Sequence, residues 1–295
     1  MKRVFYHAPC SDGFGAAWAA SKVLGRGKDV KYVGCSYKTK VPEYEAGDEI
    51  YVVDFSFPRA DLIAMHEKAG KLLVLDHHKT AEEDLSGLDF CVFDMNRSGA
   101  GLTWDVLVGG PRPLMIDLIE DRDLWTFRFP ATKFFQCYMM SEPFDFDVWD
   151  RVADKLETDS VALLAEGEAI WKFKEAEVQR MCKSAWVTRI EGHPAAVVNA
   201  TGYWSDIGHA LLEKFPEATF SATFGFLPTG VVMWSLRGRK SDGFDVSEIA
   251  RLHGGGGHRS ASGMRTATLA DVFTGWQSSK PKGGSEGPKL NQHPD

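Results

Sequence analysis

No Cys-x-x-Cys pair occurs among the five cysteines Cys10, Cys35, Cys91, Cys137 and Cys182. Their odd number and scatter exclude a disulfide framework and a zinc–thiolate cluster. A bound metal would therefore be expected on histidine and carboxylate. An excess of positive charge is missing as well: 34 Lys+Arg stand against 41 Asp+Glu, a formal net charge of −7. A uniformly basic nucleic-acid coat is excluded on that count. No run approaches the ~18 apolar residues of a membrane span, and Met1-Lys2-Arg3-Val4-Phe5-Tyr6 has no apolar core of the ~7–15 residues found in a signal peptide. The expectation is an intracellular, cytoplasmic protein without a membrane partner. What remains is ordinary globular composition, 44% hydrophobic and 25% charged over 295 residues. That length suits one large domain or two of ~100–200 residues.

The first half alternates short apolar runs with amphipathic stretches. Arg3–His7, Glu49–Asp54 and Lys71–Asp76 read as strands, and 15–24 and 59–69 as the helices between them. This alternation predicts an α/β fold with a parallel sheet covered on both faces. Residues 99–108 and 112–122 predict two further helices, with Pro113 in the first turn of the second. A long helical pattern from Asp159 to Trp186 places Val161, Leu164, Trp171, Val178 and Cys182 on roughly one face and reads as a connector. Residues 187–275 begin with four β-type runs and end in a helix at 246–252 and a glycine tract, which predicts a smaller α+β domain. The expected organisation is a catalytic domain over 1–155, a helical connector over 156–186, a second domain over 187–275 and a disordered tail over 276–295, whose proline, lysine and glycine content cannot bury a core.

Three expected strands finish in His7, in Asp54 and in Asp76-His77-His78. In an open parallel sheet, ligands bind beyond the carboxyl ends of the strands, so these residues should converge. Asp12 joins them from the loop Cys10-Ser11-Asp12-Gly13, and Glu120-Asp121-Arg122-Asp123 adds a further acidic segment. Any one of these aspartates alone is more often a helix cap or turn former. Capping does not explain their joint placement. Oxygen ligands mixed with imidazole suit Mn²⁺ or Mg²⁺, with zinc or iron as alternatives.

A second dense segment runs from Ser235-Leu236-Arg237-Gly238-Arg239 to His253-Gly254-Gly255-Gly256-Gly257-His258-Arg259. Four consecutive glycines could expose backbone N–H groups to phosphate oxygens, and arginine suits bidentate phosphate contacts. The bland alternative is a flexible linker. Flanking His and Arg, and a place inside a folded region, count against it.

Asp76-His77-His78, with His7 and Asp12-Gly13 upstream, Asp54 between, and the later Gly254-Gly255-Gly256-Gly257-His258, resembles the DHH phosphoesterase superfamily with its C-terminal DHH-associated domain, in the short-oligonucleotide branch. The resemblance covers the chain to about residue 275. It implies a Mn²⁺-dependent hydrolase, with one ion or two and Mg²⁺ as the alternative, acting on short single-stranded oligonucleotides or dinucleotides. A single-strand exonuclease, a cyclic-dinucleotide or bisphosphonucleotide phosphatase, a pyrophosphatase, and a non-catalytic nucleotide-binding protein are the competing readings; a homo-oligomer is left open. The metal set it implies is His7, Asp12, Asp54, His77 and Asp121, with Asp54 bridging two ions. Asp121 is preferred to Asp123 because it directly follows the run Leu118-Ile119-Glu120. Asp76 would orient an imidazole, and His78 would face the scissile phosphate. Ser98 would cap a helix or touch substrate, while Arg237, Gly255, Gly256, Gly257 and His258 would hold its far end. One departure stands out: many relatives have an Asp-x-Asp first motif, and this chain has Cys10 or Ser11 in place of the earlier aspartate. The first ion could then bind weakly, borrow substrate oxygens, or use Cys10 as a thiolate.

Overall fold

A computed structural model describes residues 1–36 and 39–273; the expected tail at 276–295 lies outside the described residues. The first half forms strands β1 (Lys2–His7), β2 (Val30–Cys35), β3 (Glu49–Val53), β4 (Lys71–Asp76) and β5 (Cys91–Phe93), and helices α1 (Ser11–Leu24), α2 (Arg59–Lys68), α3 (Lys79–Asp84), α4 (Gly99–Thr103), α5 (Leu114–Asp123), α6 (Thr132–Met139) and α7 (Phe146–Thr158). A turn of π-helix, Trp104–Val108, continues α4. All strand pairs are parallel, in the order β2-β1-β3-β4-β5. That order reverses direction at β1 and β3, so the crevice beyond their carboxyl ends is where such a sheet takes a ligand. Ile50 to Val53 are buried without interruption, as a strand covered on both faces requires. One covering layer is the alanine-rich face of α1, whose Ala16, Ala17, Ala19 and Ala20 are fully buried.

Helix α8 (Ser160–Met181) leads to the second unit: β6 (Trp186–Ile190), β7 (His193–Asn199), α9 (Trp204–Lys214), β8 (Phe220–Phe226), β9 (Val232–Gly238), α10 (Val246–Leu252), β10 (Gly256–His258) and β11 (Ala261–Thr266). These strands form a sheet in the order β10-β11-β9-β8-β7-β6, antiparallel except for the β7–β8 pair, which α9 connects. Phe220, Trp234 and Leu236 fill its core with Val246 and Ile249 of α10.

Two features depart from the sequence reading. The inward face of α8 is Leu163, Gly167, Lys174 and Val178, whereas Val161 is 78% exposed. The stripe was misread because Lys174 is buried: its Nζ reaches Asp206 at 2.9 Å, so a cation sits where an apolar residue was expected. Helix α7 also runs across the boundary placed at 155. No helix among the described residues is long and apolar enough to cross a membrane.

Candidate active site and metal centre

Strand β3 ends at Val53, and Asp54 turns the chain with φ 55°. This left-handed conformation is uncommon for a non-glycine residue and clusters at functional positions. Asp54 is 1% exposed. Its Oδ1 lies 3.0 Å from His77 Nε2 and its Oδ2 3.6 Å from His7 Nδ1, so one carboxylate faces two imidazoles from two other strand ends. Asp12, in the first turn of α1, accepts hydrogen bonds from the N–H groups of Gly99 (2.6 Å) and Ala100 (2.9 Å) at the start of α4. A Cβ at Gly99 would stand 2.2 Å from the Cβ of Asp54. Only glycine allows α4 to come this close.

His77 is the centre of the arrangement. Its Nε2 is surrounded by carboxylate oxygens of Asp54 at 3.0 Å, Asp12 at 3.5 Å and Asp123 at 3.7 Å, and its buried Nδ1 has no hydrogen-bond partner. Burial, with Asp54 and Asp123 alongside, pushes the Asp12 carboxyl well above its usual range. Burial and Asp54 raise Asp123 in the same direction. Burial opposes a charge on His77, yet the carboxylates, Asp54 foremost, raise its pKa well above the ordinary value. Without a cation, the cluster is biased toward holding protons. A divalent cation would replace them, and the oxygen and imidazole donors are those that Mn²⁺ and Mg²⁺ accept. These residues fit a metal.

The acidic segment resolves against the expectation for Asp121. That side chain is 0% exposed and points away from His77. Its carboxylate accepts from Thr126 Oγ1 (2.6 Å), Thr132 Oγ1 (2.5 Å) and the N–H groups of Arg128 (2.8 Å) and Phe129 (3.2 Å). Burial opposes its charge, but these donors win and bring it down to about 2. Asp121 thus ties down the loop after α5, and Asp123, two residues on, is the carboxylate that faces His77. Glu120 is likewise structural, paired with Arg112 at 2.8 Å and accepting from the Ser98 N–H at 3.1 Å.

Asp76 stands behind the histidines. Its Oδ1 accepts from the His77 N–H (2.7 Å) and from His78 Nδ1 (2.7 Å), and its Oδ2 from Ser56 Oγ (2.5 Å). Asp76 thereby holds the His78 ring through Nδ1.

The second unit closes over this floor. His258 stacks on His78 with ring centroids 4.6 Å apart. Burial, and then His78 and His77, push its pKa well below the ordinary value, so it is neutral. The cleft between the units has a volume of about 1620 Å³. Its far wall carries Arg237, whose guanidinium donates to Ser205 Oγ (2.6 Å) and Ser235 Oγ (2.9 Å). Arg122 lies 4.0 Å over the Trp125 ring, and His209 stacks on Trp125 at 3.9 Å. Burial, with Arg237 and Arg122 nearby, lowers His209 to about 3. Sequence reading weighed Asp123 only as the alternative to Asp121, and it missed Arg122 and His209 as cleft residues. Arg122 was legible only as a member of an acidic segment, and His209 carried no signal because α9 itself was not foreseen.

Two substrate-side expectations change. Ser98 is fully buried and caps α4, its Oγ accepting from the Gly101 N–H at 3.1 Å; it cannot reach a substrate. The glycine tract is not an open cradle. The N–H groups of Gly254, Gly255 and Gly257 donate to Arg251 O, Ala250 O and Thr80 Oγ1. Gly255 is glycine because a Cβ there would lie 2.2 Å from Gly263 O. The tract lets β10 pass close to β11 and α3, which carries His258 onto the histidine pair. Trp234 is core, its Nε1 donating to Thr266 Oγ1 at 3.0 Å.

Comparison with known proteins agrees with this site. No protein-family model matches the chain. It is 30% identical over 282 residues to an uncharacterized protein of Acanthamoeba polyphaga mimivirus, covering 88% of this chain and 66% of that one. It is 24% identical over 288 residues to Oligoribonuclease NrnB of Bacillus subtilis, covering 85% and 70% respectively. The chain thus spans about two thirds of the length of each curated relative. Among solved structures, it overlaps a pGpG-specific phosphodiesterase, PggH, of Vibrio cholerae (14% identity, TM-score 0.48, 92% and 94% covered). It also overlaps RecJ of Thermus thermophilus in complex with Mn²⁺ (18% identity, TM-score 0.47, 89% and 49% covered). The site is of the class in which carboxylates and imidazoles at strand ends gather divalent cations. The ordered Asp-His-His motif set resembles that of the DHH phosphoesterase superfamily, and the chain is similar along most of its length to an oligoribonuclease.

Proposed function

We propose that the protein is a divalent-cation-dependent phosphodiesterase that hydrolyses short oligonucleotides or dinucleotides to mononucleotides. One observation carries the reading: three carboxylates converge on the buried His77 Nε2 at the floor of a cleft whose far wall bears Arg122 and Arg237. Asp12, Asp54, His77 and Asp123 would hold one ion, and His7 with Asp54 would contribute to a second, Mn²⁺ or Mg²⁺ being the natural occupants. Bound there, such ions lower the pKa of a coordinated water from ~15.7 toward ~7 and polarise the phosphoryl group.

The protein's own groups divide the remaining work. Asp76 orients the His78 ring through Nδ1, and the imidazole would hydrogen-bond a phosphoryl oxygen or supply a proton to the leaving oxygen. His258, neutral and stacked on His78, closes the site against water. Arg237 and Arg122 bind a second phosphate or the sugar–phosphate backbone beyond the scissile bond. The cleft exceeds the ~300–1,000 Å³ of ordinary small-ligand pockets, which suits more than one nucleotide. Its lining mixes a few cations, Arg122 and Arg237 among them, with the acidic cluster, unlike the extended basic groove of a strand-tracking nuclease. The similarity to an oligoribonuclease supports the same substrate class. All five cysteines are free, in keeping with a cytoplasmic setting.

The test is hydrolysis, with Mn²⁺, of a panel comprising a 5′-phosphorylated dinucleotide, a short oligonucleotide, a long single strand, cyclic dinucleotides, 3′,5′-bisphosphoadenosine and pyrophosphate. Mononucleotide release fastest from the two short substrates, and abolished in Asp54→Ala, is expected. Faster degradation of the long strand would overturn the substrate class, and hydrolysis of nothing on the panel would overturn the reading as an enzyme.

A further inference from the structure

We propose that Cys10 is a metal ligand: its Sγ, with an imidazole nitrogen of His7 and a carboxylate oxygen of Asp54, forms a mixed sulfur–nitrogen–oxygen site that prefers a borderline or soft divalent ion such as Co²⁺, Zn²⁺ or Cd²⁺ over Mg²⁺. The inference rests on the metal-dependent reading above and assigns an ion class to one of its two positions. Of the options left open for Cys10 by the sequence, it takes up the thiolate.

His7, Cys10 and Asp54 each offer one donor atom, and all three lie within 4.8 Å of one another. Donors on a common ion at ~2.0–2.3 Å lie closer together than about 4.6 Å, so the three are grouped closely enough for side-chain adjustment to bring them onto one ion. The three come from independent elements: the end of β1, the residue preceding α1, and the turn after β3. Cys10 is the one cysteine among the described residues that lines the cleft. Cys35, Cys137 and Cys182 are buried, and Cys91 lies outside it. Cys10 has extended backbone, φ −149° and ψ 136°, at the N-cap of α1. Ser, Thr, Asp and Asn are the favoured residues there and cysteine is not, so capping does not account for the choice of residue. Burial, with Asp54, Asp12 and Asp123 nearby, pushes the free thiol well above its ordinary pKa, so the thiolate is expected only where a cation replaces its proton. Asp54 bonds His77 through Oδ1 and faces His7 through Oδ2, which places its second oxygen on the Cys10 side.

Sulfur decides the selectivity. Thiolate binds Co²⁺, Zn²⁺ and Cd²⁺ well and Mg²⁺ poorly, whereas the Asp12–Asp54–His77–Asp123 set has the oxygen-rich character that Mg²⁺ and Mn²⁺ accept. On binding, the Sγ–H bond breaks, its electron pair forms the Sγ–metal bond, and the proton passes to solvent. No oxidation state changes. The two positions would then differ in ion preference within one site.

The experiment titrates metal-free full-length protein with Co²⁺ and follows both binding stoichiometry and near-ultraviolet absorption, where a thiolate–cobalt bond gives a charge-transfer band. Wild type is expected to show the band. Cys10→Ser, nearly isosteric, should lose the band and one binding event while keeping the other. Cys10→Asp should bind two ions without the band, and its preference for Cd²⁺ over Mg²⁺ should fall at least about tenfold, roughly 1.4 kcal/mol. Co²⁺ binding by wild type without the band, or a band that survives Cys10→Ser, would overturn the proposal while leaving the metal-dependent reading standing. Failure to bind any divalent ion would overturn both.

Discussion

At the scale of single residues, two aspartates two positions apart have opposite roles. Asp121 is surrounded by four donors, and Asp123 by other acids and His77. Asp121→Ala would leave those donors unpaired in a buried loop, at a cost of about 2 kcal/mol or more, and should lower the melting temperature by several degrees. Asp123→Asn removes like-charge repulsion, so the melting temperature of the metal-free protein should hold or rise while divalent-ion affinity falls at least tenfold. Thermal melts with and without Mn²⁺ distinguish the two. Asp121 also has a pH signature. Its carboxyl sits near 2 in the folded protein, below the value of ~3.9 in an unfolded chain. Its contribution to stability is therefore complete above about pH 4 and is lost as pH falls toward 2. Acid unfolding of Asp121→Ala should accordingly be shallower over that interval than that of wild type. The sequence could not separate these aspartates: spacing after an apolar run places both at the end of α5, and only the loop that folds back through Thr126, Arg128, Phe129 and Thr132 chooses between them.

At the scale of elements, the site depends on close approach. Helix α4 delivers the N–H groups of Gly99 and Ala100 to Asp12 and lies against Asp54. In Gly99→Ala the added methyl must displace Asp54 or α4. Mn²⁺ affinity should drop about tenfold or more, with far-ultraviolet circular dichroism unchanged; calorimetric titration measures it, and unaltered affinity would mean that this packing does not position the carboxylates. Strands β1, β3 and β4 were legible because their apolar runs end abruptly in polar residues. Strand β2 was not, since Lys31 and Gly34 are exposed on it and it forms an edge of the sheet. Helix α9 was hidden by its start: Tyr203, at its N-cap, has φ 53° and caps nothing with its side chain, so no capping signature announced it. The glycine tract was read correctly as part of a folded region and incorrectly as an open cradle, because its amides are satisfied by partners that the local sequence does not reveal, Thr80 above all.

For the whole molecule, closure of the two units rests largely on polar contacts. Lys79 reaches Asp245 at 2.5 Å, Arg251 reaches Glu83 at 2.8 Å and Arg122 reaches Asp206 at 3.1 Å. Partly exposed pairs of this kind contribute about 0–1 kcal/mol each and weaken as salt shortens the Debye length to ~3 Å at 1 M. The radius of gyration from small-angle scattering should therefore increase with salt and in Lys79→Ala/Arg251→Ala. For that variant KM should rise more than kcat falls, because neither residue touches the metal cluster. The negative net charge also has a place in this architecture. Part of it is a cage of Asp12, Asp54, Asp76 and Asp123 that bound cations would neutralise, while Arg122 and Arg237 also line the cleft. The charge balance therefore does not exclude nucleic acid.

The most direct test of the account is the release of mononucleotide from a 5′-phosphorylated dinucleotide by wild type and by Asp123→Asn, each with Mn²⁺ and with excess chelator. Wild type should cleave only with the ion, and Asp123→Asn should be at least about a hundredfold slower while remaining folded. Cleavage by wild type that persists in chelator, or an Asp123→Asn rate equal to that of wild type, would contradict it.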